Sequence, residues 1–174
     1  GTRQGMESRK QIKISQIQEE IGLGQRPSGT PEFQGKTMSN FLGTIESLAN
    51  CYAKGSLKPS KVVAAHIDQI SKKDAKLGAF QHVFFDEAME QAVAADRALA
   101  AGYNLGPFHG IPFALKDIYE CKGQICTHGS MAHKGRISTV TGTVVHSLLA
   151  AGGILLGRTK TVEHAFGGWG TNQK

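Results

Sequence analysis

Leu105-Gly106-Pro107-Phe108-His109-Gly110-Ile111-Pro112-Phe113-Ala114-Leu115-Lys116-Asp117 is a turn cluster running into a short apolar segment that ends on a charged pair. Glycine and proline punctuate residues 106–110, where the chain must bend. Residues 111–115 have the length and apolarity of a buried strand. That strand delivers Lys116 and Asp117 at its C-terminal end. A lysine held there is drawn toward low dielectric, where the ammonium form is disfavoured and a proton can be accepted. This makes Lys116 a candidate general base. Residue type and position alone also fit a lysine that reaches back to water or pairs with Asp117.

Upstream of that run, Thr44 predicts a helix cap. The helix has Ile45, Leu48, Ala49 and Tyr52 as its apolar face and ends at Gly55. Pro59 suits the first turn of a second helix, with Val62, Val63, His66, Ile67 and Ile70 along one face. Ala79–Phe84 reads as a short strand. A third helix follows through Ala88, Ala92, Ala95 and Leu99 to Gly102, with Asp86 and Glu87 well placed for its N-terminal dipole. Its alanines imply close packing against a neighbour. Downstream, Thr141 is the expected cap of a helix through Val144, Val145, Leu148 and Leu149. Gly152 and Gly153 close it, and Ile154-Leu155-Leu156 reads as another apolar strand. Strand, helix and strand at these lengths predict a parallel crossover unit, so the fold class is α/β.

Residues 1–40 read as a flexible leader and linker, with residues 41–174 as the compact domain. A helix over 7–21 is expected within the leader, placing Ile14, Ile17 and Ile21 on one face. Glycine and proline then crowd 22–35, and Met38 is a candidate start.

The 174 residues are 40% hydrophobic and 20% charged, with a net charge of +6. That is enough apolar material for one compact domain. No long uncharged apolar run predicts a membrane span, and no secretory h-region is visible. Three cysteines make an odd count, which fits a reducing, cytoplasmic setting better than a disulfide framework. Most of the basic excess lies in residues 116–174, with seven Lys/Arg against three Asp/Glu. These charges are scattered and lack interleaved aromatics, so direct nucleic-acid binding is not expected.

Two further clusters invite chemistry. Cys121, Cys126, His128 and His133 are all zinc-ligand types. Their spacing departs from the usual C-x2-C pairing and glycines interleave them, so no metal is assigned. Gly167-Gly168-Trp169-Gly170-Thr171-Asn172 allows close backbone approach. It matches neither a phosphate-binding P-loop nor a dinucleotide fingerprint. No G-x-S-x-G nucleophile elbow is present.

The thirteen-residue run resembles the lysine motif of the amidase signature family, G-P-L-H-G-I/V-P-x-x-L/V-K-D. The following segments are similar to the family's in the same order. Gly123, Thr127, Gly129 and Ser130 resemble a Gly-Thr-Gly-Ser stretch. Val144, Val145 and Leu148 resemble a family helix. Residues 151–159 resemble A-G-A-x-x-x-G-K-T, and Glu163, Ala165, Phe166, Gly167 and Gly168 resemble E-F-A-x-G. The likeness covers roughly residues 41–173. It implies the N-terminal part of the amidase signature fold, with helices leading into a mixed, partly parallel sheet with crossover helices. It also implies a carbon–nitrogen hydrolase using a Ser-cisSer-Lys triad on a small-molecule amide, without a cofactor. Lys116 would be the lysine, acting through a bridging serine, and Phe166, Gly167 and Gly168 would help bind substrate.

The family's two serines lie beyond Asn172, the first in a G-G-S-S/A-G-G motif, so this chain alone is expected to be an inactive fragment. Its expected partner is the remainder of the amidase domain or a second copy of the chain. The alternative is a non-catalytic binding or regulatory module on a degraded amidase scaffold. Thr141, Lys160 and His164 depart from the family's Asp, Asn and Phe, which leaves the subfamily open.

Overall fold

The computed structural model describes residues 43–169, within the unit that spans Met38–Lys174. The expected leader, linker and 7–21 helix lie outside the described residues, as do residues 170–174 of the glycine-rich tail. The elements run in the order α1 (Ile45–Ala53), α2 (Pro59–Leu77), β1 (Phe80–Val83), α3 (Phe85–Ala100), β2 (Pro112–Lys116), α4 (Thr143–Ala150) and β3 (Ile154–Thr159). Short 3-10 turns occupy Met131–His133 and Glu163–Ala165.

Local chemistry sets most of these boundaries. The Thr44 side chain accepts from the Ser47 amide at 3.2 Å and caps α1, as the sequence predicts. Pro59 opens α2, where its missing N–H is no loss, and Gly78 closes it in a left-handed conformation, φ 57°. The α4 cap is a correction. Gly142 occupies that position without a side-chain bond, because the Thr141 hydroxyl is taken by the Lys122 amide at 3.0 Å.

The sheet order is β1-β3-β2, with β3 parallel to β2 and antiparallel to β1. This is the expected α/β class with a mixed sheet, and α4 is the crossover between the parallel strands. Central β3 is buried along Ile154–Arg158. Period-two alternation sends Ile154 and Leu156 into one core with Val63 of α2 and Ala88, Ala92 and Ala95 of α3. Leu155 enters another core with Leu115, Cys121 and Val145 of α4. Ala88, Ala92 and Ala95 are 0–6% exposed, so their small side chains do let the helix sit close to the strand. Gly157 serves the same purpose across the sheet, since a Cβ there would collide with the His82 carbonyl oxygen.

Candidate active site

Parallel pairing brings Lys116 opposite Thr159, and the Asp117 amide donates to the Thr159 carbonyl at 3.0 Å. The chain then turns sharply, with the Ile118 and Tyr119 amides both donating to the Lys116 carbonyl at 2.7 and 3.1 Å. Strand alternation splits the charged pair. Lys116 is exposed, whereas Asp117 is 0% exposed. The Asp117 carboxyl group accepts from the Thr127 amide at 3.1–3.2 Å and from its hydroxyl at 2.5 Å. Two expectations are therefore corrected. Lys116 is not buried among the described residues, because β2 is an edge strand of this sheet. Nor does it pair with Asp117, whose side chain points the other way into the loop.

That loop is held by contacts between segments far apart in the sequence. Arg158 is fully buried, and its guanidinium donates to the Tyr119 carbonyl at 2.5 Å and to Gln124 Oε1 at 3.4 Å. Ser130 donates to Glu163 Oε1 at 2.6 Å, tying the loop to the turn that follows β3. Each pairing joins residues more than thirty positions apart, so no local signal points to it.

The Cys/His cluster is divided. Cys121 packs in the core with Val145 and Leu155, and Cys126 is fully buried with its sulfur 3.6 Å from the Tyr119 carbonyl. Burial pushes both thiols above the ordinary cysteine value. Iodoacetamide is therefore expected to label half-buried Cys51 first and to spare Cys121 and Cys126 until the protein unfolds. Peptide mass mapping over a time course checks the order. His128 and His133, by contrast, turn toward each other and toward His164.

Glu120 stands behind those imidazoles. Its Oε1 lies 3.0 Å from His128 Nε2 and 2.8 Å from Arg136 Nη2. Burial opposes its ionisation, but the hydrogen bonds with Arg136 and His128 prevail and hold its pKa at about 2. A depressed folded pKa stabilises the protein above the unfolded carboxyl value and loses that contribution as pH falls through the folded one. Stability of the wild type is thus expected to fall between pH 4.5 and about 2. Glu120→Gln should flatten that part of the profile, and urea midpoints across the window would show a parallel decline if the assignment is wrong.

Phe166, Gly167 and Gly168 lie near the end of the described residues. Phe166 is 93% exposed, Gly167 lies beside Val162, and a Cβ on Gly168 would meet nothing within 4 Å.

An α/β unit with helices leading into a mixed sheet is a scaffold shared with solved amidases. The native peptide amidase of Stenotrophomonas maltophilia superposes with a TM-score of 0.67 at 26% identity, covering 73% of this chain and 26% of that one. A bacterial aryl acylamidase of the amidase signature family gives 0.66 at 26% identity, covering 70% and 26%. The family described as Amidase matches residues 61–173, and the chain belongs to it. A glutamyl-tRNA(Gln) amidotransferase subunit of Acidothermus cellulolyticus is 39% identical over 124 residues, which is 71% of this chain and 25% of that protein. The corresponding subunit of Salinispora arenicola is 39% identical over 120 residues, 69% and 24%. The chain thus spans about a quarter of the length of the relatives it matches. Among the described residues no helix is long and apolar enough to cross a membrane.

Proposed function

We propose that this chain supplies the lysine of a Ser-cisSer-Lys amide hydrolase, with Lys116 as that lysine and both serines carried by sequence outside these 174 residues. The observation that supports this most is the position of Lys116 within the family match, at the end of a parallel strand with its side chain disengaged from Asp117. The relatives are named for amide chemistry, so the substrate class is a small-molecule amide. In this reading Lys116 takes a proton through the bridging serine from the nucleophilic serine, which then forms the acyl-enzyme.

A lysine base needs desolvation. Here that must come from further chain packed over the free edge of β2. Tyr119, three residues beyond Lys116, is 40% exposed and offers apolar surface for it. Phe166, Gly167 and Gly168 would then border the substrate. The reading treats residues 41–174 as the N-terminal segment of the amidase domain. Three free cysteines fit a reducing, cytoplasmic setting.

The test has two arms. The 174-residue chain alone should not turn over simple amides. The same segment joined to a relative's serine-bearing remainder should, and should depend on Lys116. Turnover by the isolated chain that survives Lys116→Ala would refute the assignment.

A further inference from the structure

Three imidazoles meet where the β2–α4 loop touches the turn after β3. The ring centroids of His128 and His133 are 5.5 Å apart, those of His128 and His164 6.2 Å, and those of His133 and His164 5.4 Å. Every pair crosses nearly at right angles, at 86°, 85° and 82°. One ring nitrogen from each lies within 4.8 Å of the other two. His133 Nδ1 is buried and has no hydrogen-bond partner among the described residues.

The backbone is specially shaped to make this meeting. The His164 amide donates to the His128 carbonyl at 2.7 Å. Both residues hold left-handed conformations, φ 53° and 52°, which cost energy outside glycine and tend to mark functional positions. Between them Gly129 permits the contact, since a Cβ there would sit 2.6 Å from the Thr161 carbonyl oxygen. The Ser130–Glu163 hydrogen bond pins the two segments from the other side.

We propose that His128, His133 and His164 form a binding site for a divalent transition metal, of the class that prefers imidazole nitrogen, zinc foremost. Zinc–nitrogen bonds of about 2.0–2.1 Å place tetrahedral ligands about 3.3 Å apart, so the rings need only close inward by an ångström or so. Glu120 completes the pattern. A carboxylate hydrogen-bonded to the outer nitrogen of a ligand histidine fixes its tautomer and strengthens its donation. Glu120 Oε1 at His128 Nε2 leaves His128 Nδ1 for the metal, and Arg136 holds Glu120 in place. Three protein ligands leave a fourth position open to water or a small anion.

Glu120, Cys126 and His128 form an overlapping set. It is the poorer one. Glu120 Oε1 is already shared by Arg136 and His128, and the Cys126 sulfur faces the Tyr119 carbonyl in a site that disfavours the thiolate. The histidine set needs no deprotonated thiol and no broken ion pair. Bound metal would staple the loop to the turn after β3, and this does not depend on the hydrolase reading.

Chelator-stripped 174-residue chain, titrated with zinc by calorimetry and with cobalt(II) by visible absorption, tests the site. One equivalent should bind, the thermal midpoint should rise with metal, and the cobalt spectrum should lack a thiolate charge-transfer band. His164→Phe and His133→Gln should each weaken binding by about tenfold or more, and Cys126→Ala should leave it unchanged. His164 is exposed, so His164→Phe is expected to keep the metal-free fold, with circular dichroism as the check. Absence of binding, binding that ignores His164→Phe, binding that does not raise the thermal midpoint, or a thiolate band lost in Cys126→Ala would each overturn the proposal.

Discussion

Lys116→Ala is expected to lower amide turnover by about 100- to 10,000-fold in an enzyme that joins this segment to both serines, and to leave the unfolding midpoint of the 174-residue chain unmoved. The size follows from the role. A positioned base contributes that range, and a proton relay that begins at one lysine has no substitute within the loop. The unchanged stability of that chain follows from exposure. Lys116 sits at the end of an edge strand with its side chain outside the cores, and substitutions at such places typically shift stability by no more than about 0.5 kcal/mol. Lys116→Arg separates two meanings of the result. Arginine keeps the charge but cannot give up its proton, so it rescues a lysine that only attracts substrate and fails to rescue one that serves as a base. Single-turnover rates for wild type, alanine and arginine variants decide. Near-wild-type turnover in either variant would remove Lys116 from the chemistry as proposed.

Much of this arrangement could be read in the sequence, and the limits have a common physical origin. Apolar run lengths, the Thr44 and Pro59 start signals and the closing glycines announced the helices and the parallel crossover, because those signals act within a few residues. The alternation rule says that Lys116 and Asp117 face opposite ways, but not which of them is inside. That depends on where the Thr127 hydroxyl arrives, ten residues on. Thr141 carried a good capping signal and lost its hydroxyl to a crossing loop. The metal-type residues show the same limit. Residue type singled out Cys121, Cys126, His128 and His133, whereas folding sends the cysteines inward and brings His164 from beyond β3 to the two histidines. Assignments that depend on contacts between distant segments carry no local signature.

Asp117→Ala is expected to be the costly counterpart of its neighbour, lowering stability by about 3 kcal/mol. The Asp117 carboxyl group is 0% exposed and satisfies both the amide and the hydroxyl of Thr127. Removing it leaves two buried donors without an acceptor, each a penalty of about 1–3 kcal/mol, in a cavity the loop must close around. Asp117→Asn should recover part of the loss, since its Oδ1 can take the place of Asp117 Oδ2 and accept both bonds while its NH2 faces the Thr127 amide on the Oδ1 side. Thr127→Val removes the hydroxyl but keeps the volume and the amide bond, so it should cost less, about 1 kcal/mol. A double-mutant cycle of Asp117→Ala with Thr127→Val then isolates the hydroxyl pair, with an expected coupling of about 1–2 kcal/mol. Urea midpoints at neutral pH measure all four corners, and additive losses would mean that the short contact carries no energy. The damage should also spread. Thr127 accepts from the Gly129 amide at 3.2 Å, and Ser130 holds Glu163, so releasing Asp117 loosens the segment that carries His128 toward His164. One peptide bond thus separates the side chain left open for chemistry from the side chain that secures the loop behind it.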